Sequence, residues 1–391
     1  MTGHQRGLPR RRSAHEAWTA SRRSPEAHPR ERLVAMITTH PVCLTGASGL
    51  IASRLTELLL ARGYRVRGTV RDPARKKDVA HLEALPGAGE RLELLKADLR
   101  IPGAFDEAIA GCEYVLHTAS PYVLTVADPQ RDLVDPAVQG TQHVLRSCAK
   151  TSSVRRVVLT SSMAAVTDEP DSRHVLTEAD WNERSSLGRN PYYYSKTLAE
   201  RAAWAFMQDG RPVFDLVVIN PFLVIGPSLT PAINTSNQVL LDMLTGKYPG
   251  IMNLAWGFVD VRDVALAHVL AMETPQASGR YLCANATMTM RQIVELMRKS
   301  GYDGYRLPKL ALDNAIGNRV VWLASHLQPS GVGSYLRSHV GRLPRFDNSK
   351  IRRDLALEFR PVARSVLDTL ADLERWGHLR PPRALASSQT S

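Results

Sequence analysis

Cysteine is scarce in this chain of 391 residues: there are four, Cys43, Cys112, Cys148 and Cys283, and no Cys-x-x-Cys pair among them. Such usage excludes a disulfide framework and a cysteine-built zinc site, and points to a reducing, cytoplasmic setting with no metal. Long apolar runs are missing too. A membrane span needs about 18 or more consecutive apolar residues, yet even Leu216–Leu229 is broken by Asn220, Pro221 and Pro227. No internal repeat appears, and the N-terminal stretch lacks the apolar segment of a secretory signal. What is plentiful is core-forming material. At 44% hydrophobic, the chain can hold one large α/β unit and a smaller lobe.

Acidic residues are outnumbered, and the net charge is +12. Its distribution argues against nucleic acid as a partner. Residues 1–35 carry eight arginines against three glutamates and so supply +5 of the total. Rich in Pro, Ser and His and without apolar periodicity, residues 1–36 are expected to be a basic, disordered leader. Met36 is then the expected natural start and the leader a gene-calling artefact or dispensable arm. A basic arm for anionic partners is the other reading.

Beyond Met36, strand and helix patterns alternate. Strands are expected near 41–45, 65–70, 92–97, 113–118, 155–161 and 214–219, with helices near 49–62, 75–85, 104–110, 129–150 and 191–208. This alternation implies an α/β fold with a doubly wound parallel sheet, and runs such as Arg156-Val157-Val158-Leu159-Thr160 suit strands covered on both faces. Helices are also expected at 235–245, 262–273, 289–299 and 362–376, a strand at 279–283, and irregular chain over the Pro/Gly-rich 301–347. The expected organisation is a nucleotide-binding domain at 37–225 and a mostly substrate-binding lobe at 226–378. Within the lobe, 258–285 returns to the first domain's core, and 379–391 forms a disordered tail.

The first strand runs into Thr45-Gly46-Ala47-Ser48-Gly49-Leu50-Ile51-Ala52 and straight on into a helical pattern. Gly46 can take the angles of a tight strand-to-helix turn, Gly49 lets the main chain approach a pyrophosphate, and Ala52 keeps the helix close to the sheet. The free N–H groups of the first helical turn complete an anion site. Gly46, Ser48, Gly49, Leu50 and Ile51 are therefore the candidate phosphate contacts. Arg62-Gly63 supplies a basic last turn and a C-cap.

The second strand ends at Arg71-Asp72, roughly where a dinucleotide fold places the adenosine ribose. Arg71, with Arg75, Lys76 and Lys77 behind it, suits the extra phosphate of NADPH. The other reading makes that cluster a solvated helix face and Asp72 a selector of NADH. Asp98, followed by Leu99, ends the third strand where it caps an adenine amine or simply forms a turn. Asn190-Pro191-Tyr192 reads as a helix start with Asn190 as N-cap. Tyr192 and Lys196 then share one face. A phenol titrates near pH ~10, so it can act at neutrality only if a neighbouring ammonium or helix terminus stabilises its anion. Tyr305 and Lys309 have the same spacing, but Pro308 breaks the helix between them. Ser161 and Ser162 close the fifth strand at the sheet's carboxyl edge, where a hydroxyl either bonds a carbonyl oxygen or forms a turn.

Together these residues resemble the extended short-chain dehydrogenase/reductase family, in particular its dihydroflavonol reductase and cinnamoyl-CoA reductase branch, over roughly 41–377. The matching segments are 45–52, Gly-Thr-Val-Arg-Asp-Pro (68–73), 105–112, Leu-His-Thr-Ala-Ser-Pro (116–121), Thr-Ser-Ser (160–162), Tyr-Tyr-Tyr-Ser-Lys-Thr-Leu-Ala-Glu (192–200), 220–227 and 258–265. The resemblance implies a Rossmann fold and a Ser162–Tyr192–Lys196 triad. It also implies that Arg71 and Asp98 touch the adenosine half, Thr118 and Ala119 line the cofactor, and Pro221 abuts the nicotinamide. There are three departures from the pattern. Thr167 replaces a substrate-gripping asparagine of plant dihydroflavonol reductases. Asn-Pro-Tyr-Tyr-Tyr-Ser-Lys (190–196) replaces the Asn-Trp-Tyr-Cys-Tyr-Gly-Lys of cinnamoyl-CoA reductases, and Ala137 replaces an asparagine of many nucleotide-sugar enzymes.

The expected activity is NADPH-dependent reduction of a small or aromatic aldehyde or ketone, with that carbonyl compound as partner and a homodimer compatible with the chain. A nucleotide-sugar epimerase or dehydratase and a hydroxysteroid dehydrogenase are rivals on the same fold. A redox sensor that holds NADPH without turnover is a third, although it has no need of a tyrosine–lysine pair. The substrate pocket is expected around 121–127, 222–245 and 301–345.

Overall fold

A computed structural model describes residues 40–120 and 126–380. The expected leader, residues 381–391 of the expected tail, and 121–125 of the expected pocket lie outside the described residues.

Seven strands form the central sheet: β1 (Val42–Thr45), β2 (Val66–Val70), β3 (Leu92–Lys96), β4 (Tyr114–His117), β5 (Arg156–Thr160), β6 (Asp215–Pro221) and β7 (Gly279–Cys283). Their order is β7-β6-β5-β4-β1-β2-β3, and every neighbouring pair is parallel. Alternation along the strands explains the layering. Val42 and Leu44 of β1 pack with α1 (Leu50–Ala61) on one face, while Cys43 between them packs against the opposite layer. Val217 and Ile219 of β6 follow the first pair, Leu216 and Val218 the second. The further helices used below are α2 (Lys76–Glu83), α3 (Asp135–Ala149), α4 (Pro191–Gly210) and α5 (Val261–Glu273). Of these, α5 joins α1 on the first face, and α3 and α4 cover the second. This is the doubly wound Rossmann arrangement, and its direction of winding reverses between β1 and β4. A ligand crevice belongs beyond the carboxyl ends of those two strands.

A second apolar core lies among the helices Thr235–Leu244, Met290–Met297 and Val362–Arg375 and a small sheet of Leu223–Ile225, Ala255–Asp260 and Ala286–Thr289. The stretch 301–347, expected to be irregular, instead contains two ten-residue helices, α6 (Ala315–Ala324) and α7 (Ser330–His339). Its glycines were misleading as breakers. A Cβ on Gly317 would stand 2.2 Å from the Leu312 carbonyl oxygen, and one on Gly333 2.3 Å from that of Ser325. Both glycines sit inside helices because backbone approaches closely there. At the start of the expected tail, Leu379 is buried in the second core.

Candidate active site

The turn after β1 is built as its glycines suggest. Gly46 has φ +69°, and a Cβ there would meet Ala119 at 3.0 Å. Gly49 is extended at φ −73°, so its small size, and not a left-handed backbone, is what the turn uses. The helical ladder of α1 begins with Ser53 N–H donating to the Gly49 carbonyl at 2.8 Å. The amides of Leu50, Ile51 and Ala52 precede it at the helix start. Exposed Ser48 and Gly49 lead into this N-terminus, which can therefore hold a pyrophosphate.

β4 closes over the turn through the Thr45 hydroxyl. That oxygen accepts the N–H groups of Thr118 and Ala119, each at 3.1 Å, and lies 2.8 Å from His117 Nδ1. Burial, aided by the Lys196 charge, drives the His117 pKa down to about 3. The ring is thus neutral, and with two N–H groups already accepted, the Thr45 hydroxyl has its own proton to donate to Nδ1. Thr118 donates its hydroxyl back to the Thr45 carbonyl at 2.6 Å.

On the side expected to take the adenosine half, Arg71 and Lys77 are exposed at the end of β2 and on α2. Their neighbours are engaged, Lys76 with Glu83 at 2.6 Å and Arg75 with Asp78 at 3.4 Å, whereas Arg71 and Lys77 form no ion pair with a described residue. Asp72 accepts the Ala74 N–H at 3.0 Å. Asp98 is held by Arg100, whose hydrogen bonds bring the carboxyl pKa to about 2 with Arg71 contributing from further away. Leu99 accepts a hydrogen bond from His143 at 2.7 Å and packs where Gly140 of α3 has no Cβ.

Pro191 occupies the first turn of α4, as expected, but Asn190 does not cap with its side chain. It is buried in a left-handed conformation, φ 49° and ψ 59°. Its N–H donates to Ser334 Oγ at 3.1 Å, and its amide nitrogen donates to Ser338 Oγ at 3.0 Å and to Asp168 at 3.3 Å. Helix α4 thus begins as a docking point for α7. Tyr192, Lys196 and Glu200 follow on one face of α4. Lys196 Nζ lies 5.9 Å from the Tyr192 ring centroid and donates to Ser120 Oγ at 2.9 Å. Burial lowers its pKa to about 8, partly opposed by Glu200. Ser162 caps the short 3₁₀ turn Met163–Ala165, its hydroxyl accepting the Ala164 N–H at 3.2 Å. α4 packs on that same turn, Thr197 bonding the Ala164 carbonyl at 3.4 Å. Pro221 ends β6, and the preceding Asn220 donates to the Ser162 carbonyl at 3.2 Å. Tyr193 packs instead on Tyr335 and His339. Tyr305, of the other Tyr–Lys pair, lies outside any helix and bonds Glu374.

Thr45, His117, Ser120 and Glu200 were not singled out from the sequence. Glu200 carried a signal: it continues the four-residue spacing of Tyr192 and Lys196. Ser120 and Thr45 lie within the matching segments 116–121 and 45–52, but no spacing marks them, since only the parallel pairing of β1 with β4 brings them to the site.

Crevice, anion-binding turn and tyrosine–lysine face define a nucleotide-dependent oxidoreductase on a Rossmann sheet. The chain belongs to the NAD dependent epimerase/dehydratase family, whose model matches residues 42–302. Cinnamoyl-CoA reductase CAD2 of Medicago truncatula is 47% identical over 281 residues, 70% of this chain and 84% of that protein. Cinnamoyl-CoA reductase 1 of Petunia hybrida is 42% identical over 345 residues, 87% of this chain and 94% of that one. Among solved structures, yeast methylglyoxal/isovaleraldehyde reductase Gre2 complexed with NADPH aligns with a TM-score of 0.73 at 29% identity, covering 87% of this chain and all of its own. Within the family the chain falls in the dihydroflavonol reductase and cinnamoyl-CoA reductase branch of the extended short-chain dehydrogenases/reductases.

Proposed function

We propose that this protein is an NADPH-dependent reductase of a small or aromatic aldehyde or ketone, with Tyr192 as proton donor. The observation that carries this is Lys196: a buried ammonium on the same helix face as a tyrosine, at the carboxyl edge of the sheet. NADPH fits the residues present. The Gly46 turn leaves a cradle that a side chain would fill, the first amides of α1 suit its phosphates, and Arg71 and Lys77 suit its 2′-phosphate. When bound, the reduced nicotinamide supplies the hydride. The chain's own groups do the rest. Lys196 lowers the cost of a phenolate at Tyr192, so the phenol can release its proton to the carbonyl oxygen as that oxygen becomes an alcohol. Ser162 accepts the Ala164 N–H and retains its own proton, which it can donate to the same oxygen to orient it and steady its developing charge. Relatives named cinnamoyl-CoA reductases favour an aromatic substrate.

The test is a panel of aromatic aldehydes, aliphatic ketones, cinnamoyl-CoA and a UDP-sugar, each with NADPH and with NADH, followed by absorbance of the reduced cofactor and product analysis. Turnover of an aldehyde or ketone with preference for NADPH is expected. Conversion of the UDP-sugar alone, with retained NAD, would assign the site to an epimerase.

A further inference from the structure

One turn beyond Lys196, the side chain of Glu200 is fully buried. Its carboxylate accepts hydrogen bonds from three separate strand ends. Ser161 Oγ, after β5, donates at 2.5 Å, Asn220 Nδ2 on β6 at 2.8 Å, and Arg280 Nε on β7 at 2.6 Å. Trp204 Nε1, on the helix itself, adds a fourth at 3.3 Å. Two of these donors adjoin the proposed machinery in sequence: Ser161 precedes Ser162, and Asn220 precedes Pro221. Asn220 spends its second N–H on the Ser162 carbonyl. Helix α4, which carries Tyr192 and Lys196, is thereby bonded at one carboxylate to the strands that carry the other site residues.

The arrangement is more than a rivet, because it is charged. Arg280 is 6% exposed and is held in turn by the carbonyls of Glu178 and Asp180 and by the Trp181 ring at 4.0 Å. The charged groups facing the pair are Lys196 along the helix, Arg201 on the same Trp181 ring at 5.0 Å, Glu178, whose carboxylate accepts the Leu282 N–H of β7, and Lys350, which donates to the Arg280 carbonyl; His117, facing Lys196 from β4, is neutral. A buried ion pair of this kind is no source of stability by itself, so its value has to be sought in what it fixes.

We infer that Glu200 is a positioning residue of the reductase site, bonding the helix of Tyr192 and Lys196 to the strand ends of Ser162 and Pro221 and, balanced by Arg280, setting the local charge that both proton-bearing groups feel. This rests on the reading of Tyr192 and Lys196 as the proton-transfer pair. Removing the anion alone leaves an uncompensated cation near two groups that lose positive charge or gain negative charge on deprotonation, so both release protons more easily. Removing the cation alone does the opposite.

The test compares Glu200→Gln and Arg280→Gln. In the cofactor-free protein, the Tyr192 phenol is titrated by its tyrosinate absorbance, taken as the difference from the same protein carrying Tyr192→Phe. Glu200→Gln should lower that pKa by about one unit and Arg280→Gln should raise it by about one. The basic limb of the kcat profile for carbonyl reduction, which needs the phenol protonated, should move in the same two directions. The charge-free double variant should titrate within a few tenths of wild type, and it remains available if a single variant does not fold. Shifts of the same sign, no shifts, or a double variant displaced by a full unit would each overturn the proposal. If no carbonyl is turned over, the absorbance titration still decides the question, so failure of the reductase reading is seen separately.

Discussion

Replacing Lys196 by Met should make the protein more stable and far less active. Burial brings the ammonium from 10.5 to about 8. At about 1.4 kcal/mol per unit, holding that charge inside the fold costs about 3 kcal/mol at neutral pH. Methionine keeps an unbranched apolar stem and removes the charge. It also forfeits the hydrogen bond to Ser120 Oγ, seen at 2.9 Å, which contributes about 1 kcal/mol. The variant should therefore gain about 2 kcal/mol at pH 7. The sign of the pH dependence follows from the folded pKa lying below the unfolded one. Between about 8 and 10.5 the unfolded chain holds more protons, so wild-type stability rises with pH across that window. The cost is fully present below it and absent above it, and the advantage of methionine should shrink to about zero near pH 10. Urea unfolding of the cofactor-free proteins at both pH values, compared at constant m, measures this. Turnover should meanwhile fall by about 10²–10⁴. A variant less stable than wild type at pH 7, or a difference that does not change with pH, would refute the reasoning.

Four further substitutions probe the rest of the site and lobe. Tyr192→Phe should keep the fold and NADPH binding while kcat for carbonyl reduction drops by about 10²–10⁴. Tyr193→Phe, whose ring packs on Tyr335 and His339, should stay near wild type, and the reverse pattern would move the proton donor. Arg71→Ala should weaken NADPH by about 1.5–3 kcal/mol more than NADH in fluorescence titrations; equal losses would return cofactor choice to Asp72. Gly317→Ala should lower the melting temperature, because the new methyl would stand 2.2 Å from the Leu312 carbonyl and overpacking costs about 1–3 kcal/mol. Helix propensity alone predicts a gain of about 1 kcal/mol, so the sign of the change decides between the two.

The nucleotide crevice was legible because its parts are local. One short segment contains strand, turn and helix, and the left-handed Gly46 is demanded by the turn between them. The doubly wound parallel sheet was legible because alternating apolar strands and amphipathic helices leave few other ways to cover both faces. The C-terminal lobe was not. α6 buries little beyond Gly317 and Val321 along its length, so no apolar period marks it, and its glycine reads as a breaker when it is a contact. The pair Tyr192 and Lys196 could be named from its spacing on one helix face, whereas Ser162 was set apart from Ser161 only by the family resemblance. The bonds of Glu200 could not, since they join residues 20, 39 and 80 positions away, and a single sequence carries no local mark of such pairings. Asn190 shows the limit of capping rules: the residue type was right for a helix start, but tertiary partners claimed its side chain.

The left-handed Asn190 also bears on any attempt to redesign this protein. α7 lies within 301–345, a stretch expected to shape the pocket, and it is the natural place to randomise when a new specificity is sought. Yet Ser334 and Ser338 hold the residue two positions before Tyr192. A library over those serines samples two properties at once, the shape offered to a substrate and the seating of the tyrosine. Variants that lose all activity from such a library are uninformative about specificity, and a selection that leaves both serines in place separates the two.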